Sequence, residues 1–287
     1  MSKKIAVIGG DMRQIFMAQC MDGEGYDVTL YGFDRTHLWR GANYAKSIED
    51  AVADAKVVVL GLPASIDKAT VNTPCWNGRL YIEDILQKME PESVLAGGMI
   101  SEELEIKCRA RNLIPADYFK REDLTILNGI PTAEGAVGIA LEELPYTLHD
   151  CNCLVAGFGR VGEILTHLLQ GMGAKVTCTA RKHEDLAWIK AYGYQARQTK
   201  DLKNIIHEYT AIFNTIPSKI FTREVLRNVR NDAVVIDLAS KPGGVDFEAA
   251  KDLGIKVIWA LSLPGKVAPA TAGRIIKDTI VNMINEM

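Results

Sequence analysis

Six consecutive residues, Gly157-Phe158-Gly159-Arg160-Val161-Gly162, have the spacing that lets a backbone wrap a pyrophosphate. Gly157 allows the tight turn, Gly159 lets the chain approach the phosphates, and Gly162 permits a helix to pack closely on a strand. The free N–H groups at the start of the following helix then meet the anion's charge. An apolar run over 153–156 precedes the motif and a helical pattern over 161–172 follows it. That strand–turn–helix context raises the match from weak to strong.

Sites that take NAD place an acid about 20 residues past the motif, on the ribose 2′-hydroxyl. Here the next strand, 175–179, runs into Ala180-Arg181-Lys182. An acid is absent and two cations stand in its place, which suits the 2′-phosphate of NADP, with Arg able to bind it bidentately. NADP is therefore expected rather than NAD. Asn214-Thr215-Ile216-Pro217 and Leu238-Ala239-Ser240 follow later strands and are expected to line the nicotinamide side. Gly9-Gly10-Asp11, after the first strand, lacks the third glycine, so the first half of the chain is expected to bind the substrate, with Gly10, Asp11 and Arg13 as candidates.

These segments need a scaffold, and strand-like and helix-like patterns alternate along the whole chain, as in parallel sheets with crossover helices. The first series has strands at 4–9, 27–32, 57–62, 93–96 and 125–127, with helices at 12–22, 47–55, 82–89 and 102–111. The second has strands at 153–156, 175–179, 211–214, 233–238 and 256–259, with helices at 161–172, 184–192, 222–228 and 247–253. Between them, Ala136, Val137, Ala140, Leu141 and Leu144 fall at helical spacing over 132–144, with Pro131 before that helix and Pro145 closing it. Ser262-Leu263-Pro264-Gly265 reads as a turn, and Ile275, Ile276, Ile280 and Ile284 mark a last long helix. The expected class is α/β: two open parallel-sheet, Rossmann-like domains joined by long helices with a cleft between them. The expected division is 1–130, completed by 271–287, for substrate; 131–150 as a connecting helix; and 151–270 for NADP.

Composition excludes other classes. The chain has 287 residues, with 33 Lys plus Arg against 36 Asp plus Glu, a net charge of −3 that offers no basic footprint for nucleic acid. Continuous apolar runs such as 5–8 and 57–60 fall far short of the roughly 20 residues that span a bilayer. Met1 to Lys4 and the run after them have the outline of a leader peptide, but Gly9-Gly10-Asp11 interrupts at once and no cleavage site follows, so a strand is expected. Six irregularly spaced cysteines predict reduced thiols in a cytoplasmic protein. Cys151 and Cys153 lack two further ligands in suitable spacing, so no metal is expected.

Several motifs together resemble one family. Gly9-Gly10-Asp11-Met12-Arg13-Gln14, Ile130-Pro131-Thr132-Ala133-Glu134-Gly135, Asp237-Leu238-Ala239-Ser240-Lys241-Pro242-Gly243-Gly244 and Leu263-Pro264-Gly265-Lys266-Val267-Ala268-Pro269, in this order, are similar to the dipicolinate synthase A subunit over essentially the whole chain. The resemblance implies an NADP-dependent oxidation of the dihydrodipicolinate-level product of the lysine pathway, or of its hydrated precursor, to dipicolinate. It also implies a sporulation enzyme of the mother-cell cytoplasm, partnered by a flavoprotein-like B subunit.

Such a substrate is a small dicarboxylate whose ring gives a hydride to the nicotinamide and a proton to a base. Cations and clustered backbone donors must hold its carboxylates. Arg13 and the Gly9-Gly10 backbone are candidates for one end, and Lys241 with Gly243-Gly244 for the other. Thr132, a candidate N-cap, and Glu134 are expected to face the cleft as a proton-handling or ring-orienting pair, and Ser262 and Lys266 to close over substrate or nicotinamide. The expected catalytic set is thus Thr132, Glu134 and Lys241, in a homo-oligomer. Two other readings are a D-2-hydroxyacid dehydrogenase and a non-catalytic protein that senses NADP. The former wants a histidine late in the second domain, and none of His37, His149, His167, His183 or His207 follows a later strand end.

Overall fold

A computed structural model describes residues 4–287; Met1, Ser2 and Lys3, the head of the leader-like segment, lie outside the described residues. The strands are β1 (Lys4–Ile8), β2 (Asp27–Tyr31), β3 (Val57–Val59), β4 (Val94–Gly97), β5 (Ile114–Asp117), β6 (Asn152–Ala156), β7 (Lys175–Ala180), β8 (Gln195–Gln198), β9 (Ala211–Asn214), β10 (Val234–Asp237) and β11 (Lys256–Trp259). The helices are α1 (Met12–Gly23), α2 (Ile48–Val52), α3 (Ile82–Lys88), α4 (Glu102–Arg109), α5 (Glu122–Leu127), α6 (Gly129–Glu143), α7 (Arg160–Gly171), α8 (His183–Ala191), α9 (Leu202–Ile205), α10 (Arg223–Leu226), α11 (Phe247–Asp252), α12 (Leu263–Val267) and α13 (Pro269–Glu286). They form two compact units, one running to Asn128 and including Ala268–Met287, the other Gly129–Val267.

The first unit is a five-stranded parallel sheet in the order β2-β1-β3-β4-β5. Side chains alternate across it: Ile5, Val7, Val57 and Val59 enter one core, and Ala6, Ile8, Val58 and Leu60 the other. Burial on both faces is why these strands read as continuous apolar runs. α13 packs on α1 so closely that a Cβ at Gly273 would stand 2.5 Å from the Arg13 carbonyl oxygen. Lys277 fixes the same contact by binding Glu24 at 2.6 Å.

The second unit is a six-stranded parallel sheet in the order β11-β10-β9-β6-β7-β8, whose order reverses between β6 and β9. Cys153, Val155, Cys178, Phe213 and Ile236 face the core that α6, α7 and α8 cover; Leu154, Ala156, Ile212 and Val235 face α9, α10 and α11. The Rossmann-like class expected from the alternation is the observed one.

Four local expectations are corrected. Residues 125–127 are helix, not strand: Glu122 and Asp123 favour a helix start, and only Leu124 of that apolar run is buried. The strand of that region is β5, which contains Pro115; as an edge strand it tolerates the missing N–H. α6 begins at Gly129, so Pro131 sits in its first turn, where a helix has no use for its N–H, and Thr132 lies inside the helix instead of capping it. Leu263 to Val267 is a short helix, α12, where Pro264-Gly265 reads as a turn. The helical run Glu122–Glu143 is long and apolar enough to span a bilayer, yet Ala133, Ala136 and Ala140 are wholly buried in the second unit's core, the mark of a core helix.

Candidate dinucleotide and substrate site

In the second unit the glycine motif closes β6 beside the point where strand order reverses, the position at which open α/β sheets bind ligands. Gly157 has φ +104, and a Cβ there would meet Thr215 Oγ1 at 2.4 Å, so glycine alone fits. Its N–H donates to the Thr179 carbonyl at 3.0 Å. A Cβ on Gly162 would lie 2.2 Å from the Gly157 carbonyl oxygen, the close helix–turn packing expected of the third glycine. Gly159 caps α7 without a side-chain hydrogen bond, and nothing lies within 4 Å of where its Cβ would be. A helix start without a side-chain cap, beside open space at Gly159, fits the pyrophosphate of a dinucleotide. Phe158 is half-buried against Tyr192, with ring centroids 6.4 Å apart, Arg160 is exposed, and Val161 is half-buried.

Past the cradle, Ala180 is buried and Arg181 and Lys182 are exposed at the end of β7. Lys182 binds Glu184 at 3.0 Å, which raises its ammonium pKa; Arg181 has no carboxylate partner among the described residues.

The loops after β9 and β10 are built around a buried pair that the sequence did not flag as a pair. Asn214 Nδ2 donates to Asp237 Oδ1 at 2.7 Å and to the Ile216 carbonyl at 3.1 Å, while its Oδ1 accepts from the Ile216 N–H. Asp237 also accepts from the N–H groups of Ala239 (3.1 Å) and Gly244 (2.8 Å). Asn214 is thus a fully buried loop-former whose side-chain amide is hydrogen-bonded within the two loops. Thr215 donates to the Ala156 carbonyl at 2.9 Å, Ile216 is half-buried and Pro217 exposed. Leu238 is half-buried, Ala239 buried with its carbonyl accepting from Trp259 Nε1 at 3.0 Å, and Ser240 exposed.

The Asp237 carboxylate closes the chain from 237 to 244 into a ring, helped by Gly243 N–H on the Ser240 carbonyl at 2.8 Å. Gly243 (φ +86) and Gly244 are required there: Cβ atoms would stand 3.0 Å from Asp237 Oδ2 and 2.0 Å from Asn214 Nδ2. The ring presents Lys241 exposed and, among the described residues, without a carboxylate partner. Gly135 of α6 abuts Leu263 and Val267 of α12, which brings the helix bearing half-buried Thr132 and exposed Glu134 against the one that follows exposed Ser262 and carries exposed Lys266.

The first unit's turn differs in chemistry. Gly9 N–H donates to the Tyr31 carbonyl, Gly10 N–H to the Asn72 carbonyl, Asp11 N–H to Gln14 Oε1, and Arg13 N–H to Asp11 Oδ1. Asp11 and Gln14 form a capping box that places a carboxylate at the helix N-terminus. Arg13 is only 7% exposed; its guanidinium grips both Asp11 oxygens at 2.8 to 3.1 Å and donates to the Leu62 carbonyl. Tyr118, whose buried hydroxyl has its pKa raised by desolvation, donates to the Leu60 carbonyl at 3.0 Å. The Gly9 and Gly10 N–H groups and the Nε and Nη2 of Arg13 are thus bound within the turn expected to meet a substrate carboxylate. Asn72 and Tyr118, which complete it, lie too far away in sequence to be found by spacing.

Comparison with known proteins follows the same division. Residues 4–119 match the family model for the N-terminal domain of the dipicolinate synthase A subunit, and residues 135–249 match "D-isomer specific 2-hydroxyacid dehydrogenase, NAD binding domain". The chain is 33% identical to the dipicolinate synthase A subunit of Bacillus subtilis (strain 168) over 99% of its own length and 96% of that protein. Among solved structures, the dipicolinate synthase A subunit from Bacillus halodurans superposes with a TM-score of 0.89 at 32% identity, covering 98% of this chain and 97% of that one. The A chain of dipicolinate synthase from Bacillus subtilis also gives 0.89 at 32% identity, over 100% and 97%. A transhydrogenase from Sinorhizobium meliloti, at 17% identity and a TM-score of 0.73, shares the fold over 99% of this chain and 93% of its own. With its nicotinamide-dinucleotide domain of dehydrogenase type and an N-terminal domain matched along nearly its whole length, the chain belongs to the dipicolinate synthase A-subunit family.

Proposed function

We propose that this chain oxidises dihydrodipicolinate, or its hydrated precursor, to dipicolinate with NADP, in the cytoplasm of a sporulating mother cell and together with a flavoprotein-like B subunit. The observation that carries the reading is the pairing, within one unit, of an open glycine cradle at Gly159 with an exposed lysine, Lys241, that has no carboxylate partner among the described residues and follows the carboxyl end of β10. When bound, NADP supplies the hydride acceptor.

The residues divide the work. Gly157, Gly159, Gly162 and the start of α7 hold the pyrophosphate; Arg181 answers the 2′-phosphate; and Thr215, Ile216, Leu238 and Ala239 wall the nicotinamide. The Asp237 ring fixes Lys241, which binds a substrate carboxylate with Gly243 beside it; Ser262 and Lys266 add polar donors. Thr132 and Glu134, on α6, orient the ring or receive its proton. In the first unit, Gly10, Asp11 and Arg13 form the turn offered to substrate. The dehydrogenase-type match covers the cofactor domain alone, residues 135–249, and the chemistry of a 2-hydroxyacid dehydrogenase has no histidine to use at the later strand ends.

The test is turnover by purified chain with NADP and freshly generated substrate, with and without the B subunit, read as dipicolinate by ultraviolet absorbance. Formation in either condition supports the reading; none in both overturns it.

A further inference from the structure

The edge strand of the second unit brings a cation to the cofactor site from a segment with no motif. β8 runs parallel to β7, with Thr179 opposite Arg197 and Ala180 opposite Gln198. The next residues therefore leave the sheet at the same end as Arg181 and Lys182, one strand spacing of about 4.8 Å away. Thr199 Oγ1 donates to Thr179 Oγ1 at 3.4 Å, and both threonines are buried, which ties the 3-10 turn Thr199–Asp201 to the end of β7. That turn exposes Lys200, for which no carboxylate partner occurs among the described residues.

The charges around it favour a role for this lysine. Lys182, the second cation of Ala180-Arg181-Lys182, is paired with Glu184 and also feels Asp185. Among the described residues, Arg181, Arg197 and Lys200 are the cations near this end of β7 and β8 without a carboxylate partner; Arg197 still lies within β8, opposite Thr179, whereas Lys200 stands on the turn that leaves the sheet, with Asp201 as the carboxylate next to it in the chain. A phosphate monoester carries about 1.5 to 2 negative charges near neutral pH, more than one exposed arginine neutralises.

We propose that Lys200, carried by the turn after the edge strand, joins Arg181 in clamping the adenosine 2′-phosphate of NADP and so sets the preference for NADP over NAD. The inference rests on the proposed reading that the cofactor is NADP. It assigns the discrimination to a strand end on which no acid-or-arginine rule looks.

The experiment is fluorescence titration of the full chain with NADPH and with NADH, for wild type, Lys200→Ala, Lys200→Arg, Arg181→Ala and, as a control, Lys203→Ala. Lys203 is exposed close by and pairs with Glu224 at 3.6 Å. Lys200→Ala is expected to weaken NADPH about tenfold, as for loss of a charged hydrogen bond, and to leave NADH within about twofold. Lys200→Arg keeps most of the NADPH affinity and Lys203→Ala all of it. Competition by 2′,5′-ADP should show the same loss in Lys200→Ala, and competition by 5′-AMP none. If wild type prefers NADPH, Arg181→Ala reduces that preference and Lys200→Ala does not, the role of Lys200 is overturned while NADP stands. Equal binding of NADPH and NADH by wild type overturns the NADP reading and this inference with it.

Discussion

Asn214 and Asp237, at the ends of adjacent strands β9 and β10, share a hydrogen bond of 2.7 Å in a place where neither side chain has any solvent exposure. The Asp237 carboxylate is satisfied by three donors, Asn214 Nδ2 and the N–H groups of Ala239 and Gly244. A buried carboxylate held this way ties together two loops that also meet where the Ile220 and Phe221 N–H groups donate to the Gly244 carbonyl, and these loops carry Lys241 and the residues proposed to wall the nicotinamide.

Asp237→Ala should therefore cost about 3 kcal/mol or more, since it strands three buried donors. Urea unfolding measures the loss. Turnover should fall further than stability explains at temperatures where the variant remains folded, because Lys241 is no longer fixed. A variant as stable as wild type would show that the ring is not organised by this carboxylate.

Two glycines of the cradle should separate binding from stability. Gly159→Ala projects a methyl into the open space proposed to receive phosphate and should weaken NADPH by tenfold or more, while costing at most about 1 kcal/mol as a helix cap. Gly162→Ala drives a Cβ against the Gly157 carbonyl, a backbone atom that cannot swing away, and should cost about 1–3 kcal/mol as well as affinity. Thermal unfolding with NADPH titration distinguishes the two patterns; equal destabilisation by both would contradict it.

Arg13→Ala should destabilise by about 2 kcal/mol, below the 3–5 typical of a fully buried pair because the Asp11 side chain is 30% exposed. Arg13→Lys should rescue little, since a lysine cannot span both Asp11 oxygens and the Leu62 carbonyl. NADPH affinity should be unchanged in both. Wild-type stability with a large rise in substrate KM would give Arg13 a role in substrate binding and none in the fold.

Cys151 gives a pH signature. Hydrogen bonding from Cys153, and then from Thr210, whose hydroxyl lies 3.0 Å away, lowers its thiol to about 6 against the opposing effect of burial, while Cys153 is pushed well up. A folded-state pKa below the unfolded value near 8.5 means that this group's stabilisation is full above that value and is lost as pH falls through about 6. Stability measured by denaturant from pH 6 to pH 9 should thus gain from this group with rising pH, and Cys151→Ser should flatten that slope. Identical slopes would remove the thiolate.

How much of this was legible in the sequence depended on where each residue lies. β1, β3, β6 and β9 are covered on both faces, so their apolar runs announced them, and the three glycines of the cradle announced the turn. β8, Gln195-Ala196-Arg197-Gln198, was missed because an edge strand half in solvent needs no apolar pattern. α5 and strand 125–127 compete for the same β-branched residues, and the acidic first turn decides for helix. At the site, the loops after β9 and β10 were placed by their position after strands. The Asn214–Asp237 bond was not, because its partners are 23 residues apart in sequence and neither type alone signals a buried pair. The burial of Arg13 is equally illegible, because the carbonyl it meets, at Leu62, lies 49 residues on and is invisible to local spacing.

The most direct measurement of the central claim follows the hydride. With ring-deuterated substrate, purified chain, NADP and the B subunit, the reduced cofactor recovered for mass spectrometry should carry one deuterium for each dipicolinate formed. Dipicolinate formed while the recovered cofactor is unreduced, or reduced without deuterium, would contradict the account.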